Sequence, residues 1–118
     1  MPAAGKIKVM EPTFTDRVKQ VLKSIPYGKV TTYGQVAMRA GNYRAARQVV
    51  RVLHTSSKKE KLPWHRVINR QGKISLKPGA GFEEQARLLS KEGIPVSETG
   101  QVDLDTFLWC GDPDPFAE

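Results

Sequence analysis

Between Thr32 and His54, two short stretches carry helical periodicity with little more than Gly41-Asn42 to join them, and this restricts the fold more than any other feature of the chain. Thr32 with Gln35 forms a capping-box pattern, so a helix is expected to start at Thr32. Tyr33, Val36, Ala37 and Ala40 supply its inward face, and Gly41 suits the left-handed residue that ends a helix. The next helix is expected from about Tyr43 to His54. Two helices joined this closely have the shape of a helix-turn-helix, a shape that helical hairpins without a nucleic-acid role also adopt.

Another helix is expected upstream. Thr13 with Asp16 resembles a capping box, and Phe14, Val18, Val21, Leu22 and Ile25 follow at helical spacing until Pro26-Tyr27-Gly28 stops them. Val30–Thr32 reads as a short extended link. Downstream, Thr55–Lys61 reads as a flexible lysine-rich surface loop, and Asn69-Arg70-Gln71-Gly72-Lys73 as a turn between two short strands, a wing-like hairpin. Phe82–Glu92 reads as a helix with Ala86, Leu88 and Leu89 inward and Gly93 at its end. Val102–Trp109 is apolar enough to dock on the domain, with Trp109 as packing. Residues 1–12 and 111–118 read as tails around one domain at 13–110.

The helix over 43–54 has two unlike faces. Ala46, Val49, Val50 and Leu53 fall within about one third of its circumference. Arg44, Arg47, Arg51 and His54 gather on the other side, with no Asp or Glu between residues 43 and 55. A charged face is ordinarily just solvated, but arginines so placed suit phosphate and base-edge contacts. The whole chain leans the same way, with 19 basic against 12 acidic residues, a net charge of +7 and a pI near 9.8, a balance that suits a polyanionic partner. One cysteine, Cys110, permits no internal disulfide and fits a reducing compartment. Two histidines with no cluster of Cys, Asp or Glu beside them give no expectation of zinc. No apolar run approaches the roughly 18 residues of a membrane span, and the start has no apolar signal core, so the expected location is cytoplasmic.

The most informative string is Leu62-Pro63-Trp64-His65-Arg66-Val67-Ile68-Asn69. Taken alone, it reads as a short buried strand with a core tryptophan. Its Pro63-Trp64-His65-Arg66-Val67 resembles the active-site signature of the O6-alkylguanine-DNA alkyltransferases, with Trp64 where that family carries its nucleophilic cysteine. Ile25-Pro26-Tyr27-Gly28-Lys29-Val30, Thr32-Tyr33-Gly34-Gln35-Val36-Ala37 and Ala45-Ala46-Arg47-Gln48-Val49 are similar to the same family's helix-turn-helix. The likeness runs from about Phe14 to Trp109, and the tryptophan matches the sister group of alkyltransferase-like proteins. The chemistry supports that distinction: removing an alkyl group from guanine O6 suits a thiolate, whereas an indole has an apolar face and one N–H donor.

The resemblance implies a small winged-helix-like α/β fold with a C-terminal helix, and it implies roles. Tyr33 would push on the target nucleotide's phosphate, and Arg47 would be the finger that enters the base stack in place of the extruded base. Flipping costs a few kcal/mol, which such a finger partly offsets. Arg44 and Arg51 would contact DNA beside Arg47, with the helix in the minor groove, where readout is nearly sequence-blind. The lesion pocket would comprise Tyr33, Trp64, His65, Val67, Lys77, Pro78 and Glu92. Within it Trp64 lines the base, the Val67 backbone meets the exocyclic amine, and Lys77 offers a cation–π or electrostatic contact. His65 and Glu92 match the base and its orienting carboxylate in the transferases and are expected here to hold the pocket floor. Arg66 is expected to be structural, and the family's hinge asparagine is missing from the 55–61 segment. Cys110 has no neighbouring His or Lys to activate it.

The expectation is thus a monomeric, cofactor-free and non-enzymatic sensor of O6-alkylguanine in double-stranded DNA that flags the lesion for nucleotide excision repair proteins. It would be found with the nucleoid, or in the nucleus of a eukaryote, when bound to DNA. Two other classes stay open: an enzyme (an alkyltransferase with another acceptor, or a glycosylase-like activity of His65 and Glu92) and a sequence-specific helix-turn-helix regulator.

Overall fold

The computed structural model describes residues 13–109. The expected tails at 1–12 and 111–118, and Cys110, lie outside the described residues. Helix α1 (Phe14–Ser24) opens on a complete capping box. The Asp16 N–H donates to Thr13 Oγ1, and the Thr13 N–H donates to Asp16 Oδ2, both at 3.1 Å. Its stripe buries Val18 and Leu22, and the chain leaves helical geometry at Ile25, before Pro26.

Strand β1 (Thr31–Thr32) runs straight into helix α2 (Tyr33–Arg39), whose first turn is held by the Gln35 N–H on Thr32 Oγ1 at 3.2 Å. Gly41 follows with φ +105°, as a helix-ending glycine should. Arg17 of α1 reaches across to this end, its Nε donating to the Ala40 carbonyl at 2.7 Å.

Helix α3 (Ala46–Glu60) corrects the expected bounds at both ends. It starts later than Tyr43 because Asn42 makes a turn of its own: its side chain accepts the Arg44 N–H and its carbonyl the Ala45 N–H. It runs six residues past His54, through the segment expected to be a flexible loop. Thr55 stays helical by returning its hydroxyl to the Arg51 carbonyl at 3.0 Å, and Glu60 is tied to Lys19 of α1 at 2.7 Å. The helix ends at Lys61, in the left-handed conformation with φ 54°.

A single 3-10 turn (Trp64–Arg66) then delivers β2 (Val67–Ile68), which pairs parallel with β1 in the register Thr31 to Val67 and Thr32 to Ile68. Parallel pairing needs a long crossover, and α2 and α3 supply it. The turn at Asn69–Lys73 forms, with the Asn69 N–H on the Lys73 carbonyl, but its far arm pairs with Gln101 instead of returning along β2. The wing is therefore a turn leaning on the C-terminal segment. Helix α4 (Phe82–Lys91) ends at Glu92 and Gly93, and a short α5 (Leu104–Phe107) precedes Trp109.

Strand β2 separates two buried clusters. Val67 joins α1, α2 and α3 around Leu22, Val36 and Val49, while Ile68 points the other way, to Val30, Leu89 and Ile94. This is the two-residue alternation of a strand put to use. Trp109 closes the first cluster, its backbone N–H on the Val30 carbonyl at 2.7 Å and the Arg39 guanidinium 3.9 Å over its ring. The result is the mixed, helix-turn-helix-bearing, winged-helix-like class expected from the sequence.

Candidate functional site

The turn before β2 sets the site. In a 3-10 turn successive side chains point about 120° apart, so neighbours in the Trp64-His65-Arg66 string separate. Trp64, half-buried, lines an open cavity of about 800 Å3. His65 and Arg66 instead join Glu92 at the end of α4. The Glu92 carboxylate accepts His65 Nε2 at 2.7 Å, Arg66 Nη2 at 2.7 Å and the Gly28 N–H at 2.8 Å. Arg66 Nη1 also donates to the Ile25 carbonyl at 2.9 Å, which links the signature to the end of α1. Burial disfavours the Glu92 carboxylate, but the hydrogen bonds from Arg66, Gly28 and His65, with the Arg66 charge, overcome it and hold the pKa at about 2. Arg66 is a structural residue.

Each wall of the cavity comes from a different part of the chain. Val50, Leu53, His54 and Ser57 bring one face of α3, and Lys58 and Lys61 its end. Trp64, Val67 and Gln85 come from the signature and α4, and Tyr33 from the first turn of α2. Leu62, Leu76, Ala80 and Gly81 complete it. Gly81 is needed there: its φ is +115°, and a Cβ would stand 2.7 Å from Leu76 Cδ1. The Tyr33 hydroxyl lies 3.0 Å from Ser75 Oγ, joining the start of the helix-turn-helix to this loop.

Of the residues expected to form the pocket, Tyr33, Trp64 and Val67 line it. His65 and Glu92 do not, because the turn sends His65 to the carboxylate side. Lys77 and Pro78 are exposed on the loop between the lining residues Leu76 and Ala80. The Gly79 N–H anchors this tip to the Glu83 carboxylate at 2.9 Å, and that bond lowers the Glu83 pKa. Arg44, Arg47, Arg51 and His54 are all exposed, Arg44 in the turn before α3 and the others on the helix.

Sequence reasoning missed several lining residues. Gln85 is 2% exposed, and its Nε2 donates to the carbonyls of His65 and Val67, each at 3.0 Å. It therefore fixes the signature backbone and takes one of the two lone pairs of the Val67 carbonyl. Its position on the inward face of α4, one turn before Leu89, was the available signal. Val50 and Leu53 share one apolar face with Val49 in the sequence, yet Val49 is buried and these two line the cavity. Ser57, Lys58 and Lys61 were assigned to a loop. Among the described residues no cluster of His, Cys, Asp and Glu could hold a metal, and no helix is long and apolar enough to cross a membrane.

The family model for the DNA-binding domain of 6-O-methylguanine DNA methyltransferase matches residues 13–94. The chain is 50% identical over 99 residues to the DNA base-flipping protein of Escherichia coli K12, covering 84% of this chain and 76% of that one. It is 36% identical over 101 residues to alkyltransferase-like protein 1 of Schizosaccharomyces pombe, covering 81% and 94%. Its fold superposes on S. pombe Atl1 in complex with damaged DNA containing O6-carboxymethylguanine, with a TM-score of 0.72 at 35% identity, over 82% of this chain and 94% of that one.

Proposed function

This chain belongs to the family of the 6-O-methylguanine DNA methyltransferase DNA-binding domain, and from that premise we propose that it is a non-enzymatic sensor of O6-alkylguanine in duplex DNA. The observation that carries the reading is Trp64 on the cavity wall, within the string that resembles the alkyltransferase signature, at the position matched to their cysteine. An indole there stacks on a flipped base, but its nitrogen lone pair is delocalised into the ring and gives no thiolate-like nucleophile to accept the alkyl group. His65 and Glu92 serve a structural purpose in this reading, since both are engaged with each other and Glu92 also with Arg66.

Arg47 replaces the extruded base, Tyr33 turns the target phosphate, and Arg44 and Arg51 hold the backbone along the minor groove. All four stand on or beside the helix-turn-helix, and the three arginines are exposed. Lys77 and Pro78 close over the lesion from the anchored loop. The relatives' names, a base-flipping protein and an alkyltransferase-like protein, support this assignment. The protein acts as a cytoplasmic monomer that gathers on DNA, and its bound complex is handed to nucleotide excision repair.

The test is binding to paired duplexes that differ by guanine or O6-methylguanine at one position, followed by the intact mass of the protein. Selective binding at unchanged mass supports a sensor. A gain of one methyl group makes the protein a transferase, and equal binding to both duplexes leaves a helix-turn-helix protein that does not read the lesion.

A further inference from the structure

The cavity is larger than a methylated base requires. Even at the about 30 Å3 that a water molecule occupies in the liquid, the twelve heavy atoms of O6-methylguanine fill less than half of its approximately 800 Å3. The surplus has a chemical character at the end of α3. No carboxylate is among the lining residues, whereas Lys58, Lys61 and His54 are. The nearby carboxylate, Glu60, is committed to Lys19 at 2.7 Å, and neither Lys58 nor Lys61 has an ion-pair partner among the described residues.

Two further observations converge on this end. The Ser57 hydroxyl is buried and has no hydrogen-bond partner. Thr55, two residues earlier, satisfies its own hydroxyl on the helix backbone; Ser57 does not, and a buried hydroxyl left so is costly unless something supplies an acceptor. Lys61 holds a left-handed backbone, with φ 54°, at a helix end where glycine would sit without strain. A non-glycine residue kept in that conformation at a cavity wall is the kind of local cost found at ligand-binding positions.

We propose that Ser57, Lys58 and Lys61 form a subsite for an anionic group on the adduct, so that this chain prefers O6-carboxymethylguanine to an uncharged adduct of equal size. The inference rests on the lesion-sensor reading above and narrows its ligand class. On binding, rotation of the Ser57 side chain brings its shielded hydroxyl onto a carboxylate oxygen, and the two ammonium groups complete charge-assisted contacts once the bound DNA has displaced solvent.

The test compares three duplexes of one sequence, carrying guanine, O6-isobutylguanine or O6-carboxymethylguanine at one site, by fluorescence anisotropy at fixed salt. The two adducts have the same heavy-atom count and branching and differ in charge. Wild-type protein is expected to bind the carboxymethyl duplex about tenfold tighter than the isobutyl duplex. In Ser57→Ala, and in Lys58→Gln combined with Lys61→Gly, that ratio is expected to fall toward one. The glycine is expected to hold or raise the melting temperature by relieving the left-handed strain, so a lost preference is not lost folding. A wild-type ratio near one overturns the subsite. So does a lysine variant that weakens all three duplexes equally, since the lysines would then be contacting backbone phosphates. If isobutyl and carboxymethyl duplexes both bind no better than guanine, the sensor reading itself fails and takes the subsite with it.

Discussion

Arg66 and Glu92, 26 residues apart in sequence, meet as a guanidinium fork on a carboxylate, with Nε on Oε1 at 3.0 Å and Nη2 on Oε2 at 2.7 Å. The pair is largely shielded, with side-chain exposures of 16% and 6%. It joins the signature turn to the end of α4, and through the Ile25 carbonyl and the Gly28 N–H it also holds the link between α1 and β1.

Removing the carboxylate leaves a shielded guanidinium, the Gly28 N–H and His65 without their acceptor. Glu92→Ala is expected to cost about 3 kcal/mol, the lower end for breaking a buried pair. Urea denaturation checks this: the midpoint should fall while the slope stays constant. A loss below about 1 kcal/mol would mean that solvent replaces the carboxylate at little cost.

The same group sets the acid response. Its folded pKa of about 2 lies below the ordinary 4.5, so between those values the unfolded chain binds the extra proton and stability rises with pH. The contribution is complete above about pH 4.5 and is lost as pH falls toward 2. At about 1.4 kcal/mol per pKa unit it amounts to about 3 kcal/mol. Thermal melts of wild type and Glu92→Gln across that range should converge at the acid end; parallel curves would remove Glu92 as the cause.

If about five basic side chains on and near α3 neutralise phosphates, the binding constant should fall with salt at a log–log slope near −4 to −5. Arg51→Ala should reduce the slope by about one on lesion and undamaged duplexes alike. Arg47→Ala should in addition weaken lesion binding if, as proposed, this side chain fills the emptied stack. An Arg47 effect equal on both duplexes would make it a phosphate contact.

Trp64 is the largest aromatic side chain on the cavity wall. Trp64→Ala should reduce lesion binding by roughly tenfold to a hundredfold, the span of about 1–3 kcal/mol for one base on an aromatic ring, with little change on undamaged DNA. Titration of both duplexes with the variant checks this, and an unchanged lesion affinity would show that the base rests on another surface.

The sequence by itself determined what depends on near neighbours. The capping residues Thr13 and Thr32, the stop at Pro26, the glycine after α2 and the inward stripe of α1 all act over a few residues, and each stands where the pattern requires. The chemical limit set by Trp64 is equally local, because it belongs to the side chain. Tertiary structure alone decided the membership of the cavity. Helical periodicity defines an apolar face without saying what that face meets, so Val49 became core and Val50 a cavity wall one residue apart. Adjacency in sequence likewise hid the parting of Trp64 from His65, which the 3-10 turn imposed and Glu92 fixed from 27 residues away. The tie between Glu60 and Lys19, 41 residues apart, helps to hold the end of α3 and with it Ser57, Lys58 and Lys61 against the cavity. A long-range contact of that kind leaves no mark on local composition, and for that reason the segment reads as a loop until the chain is folded.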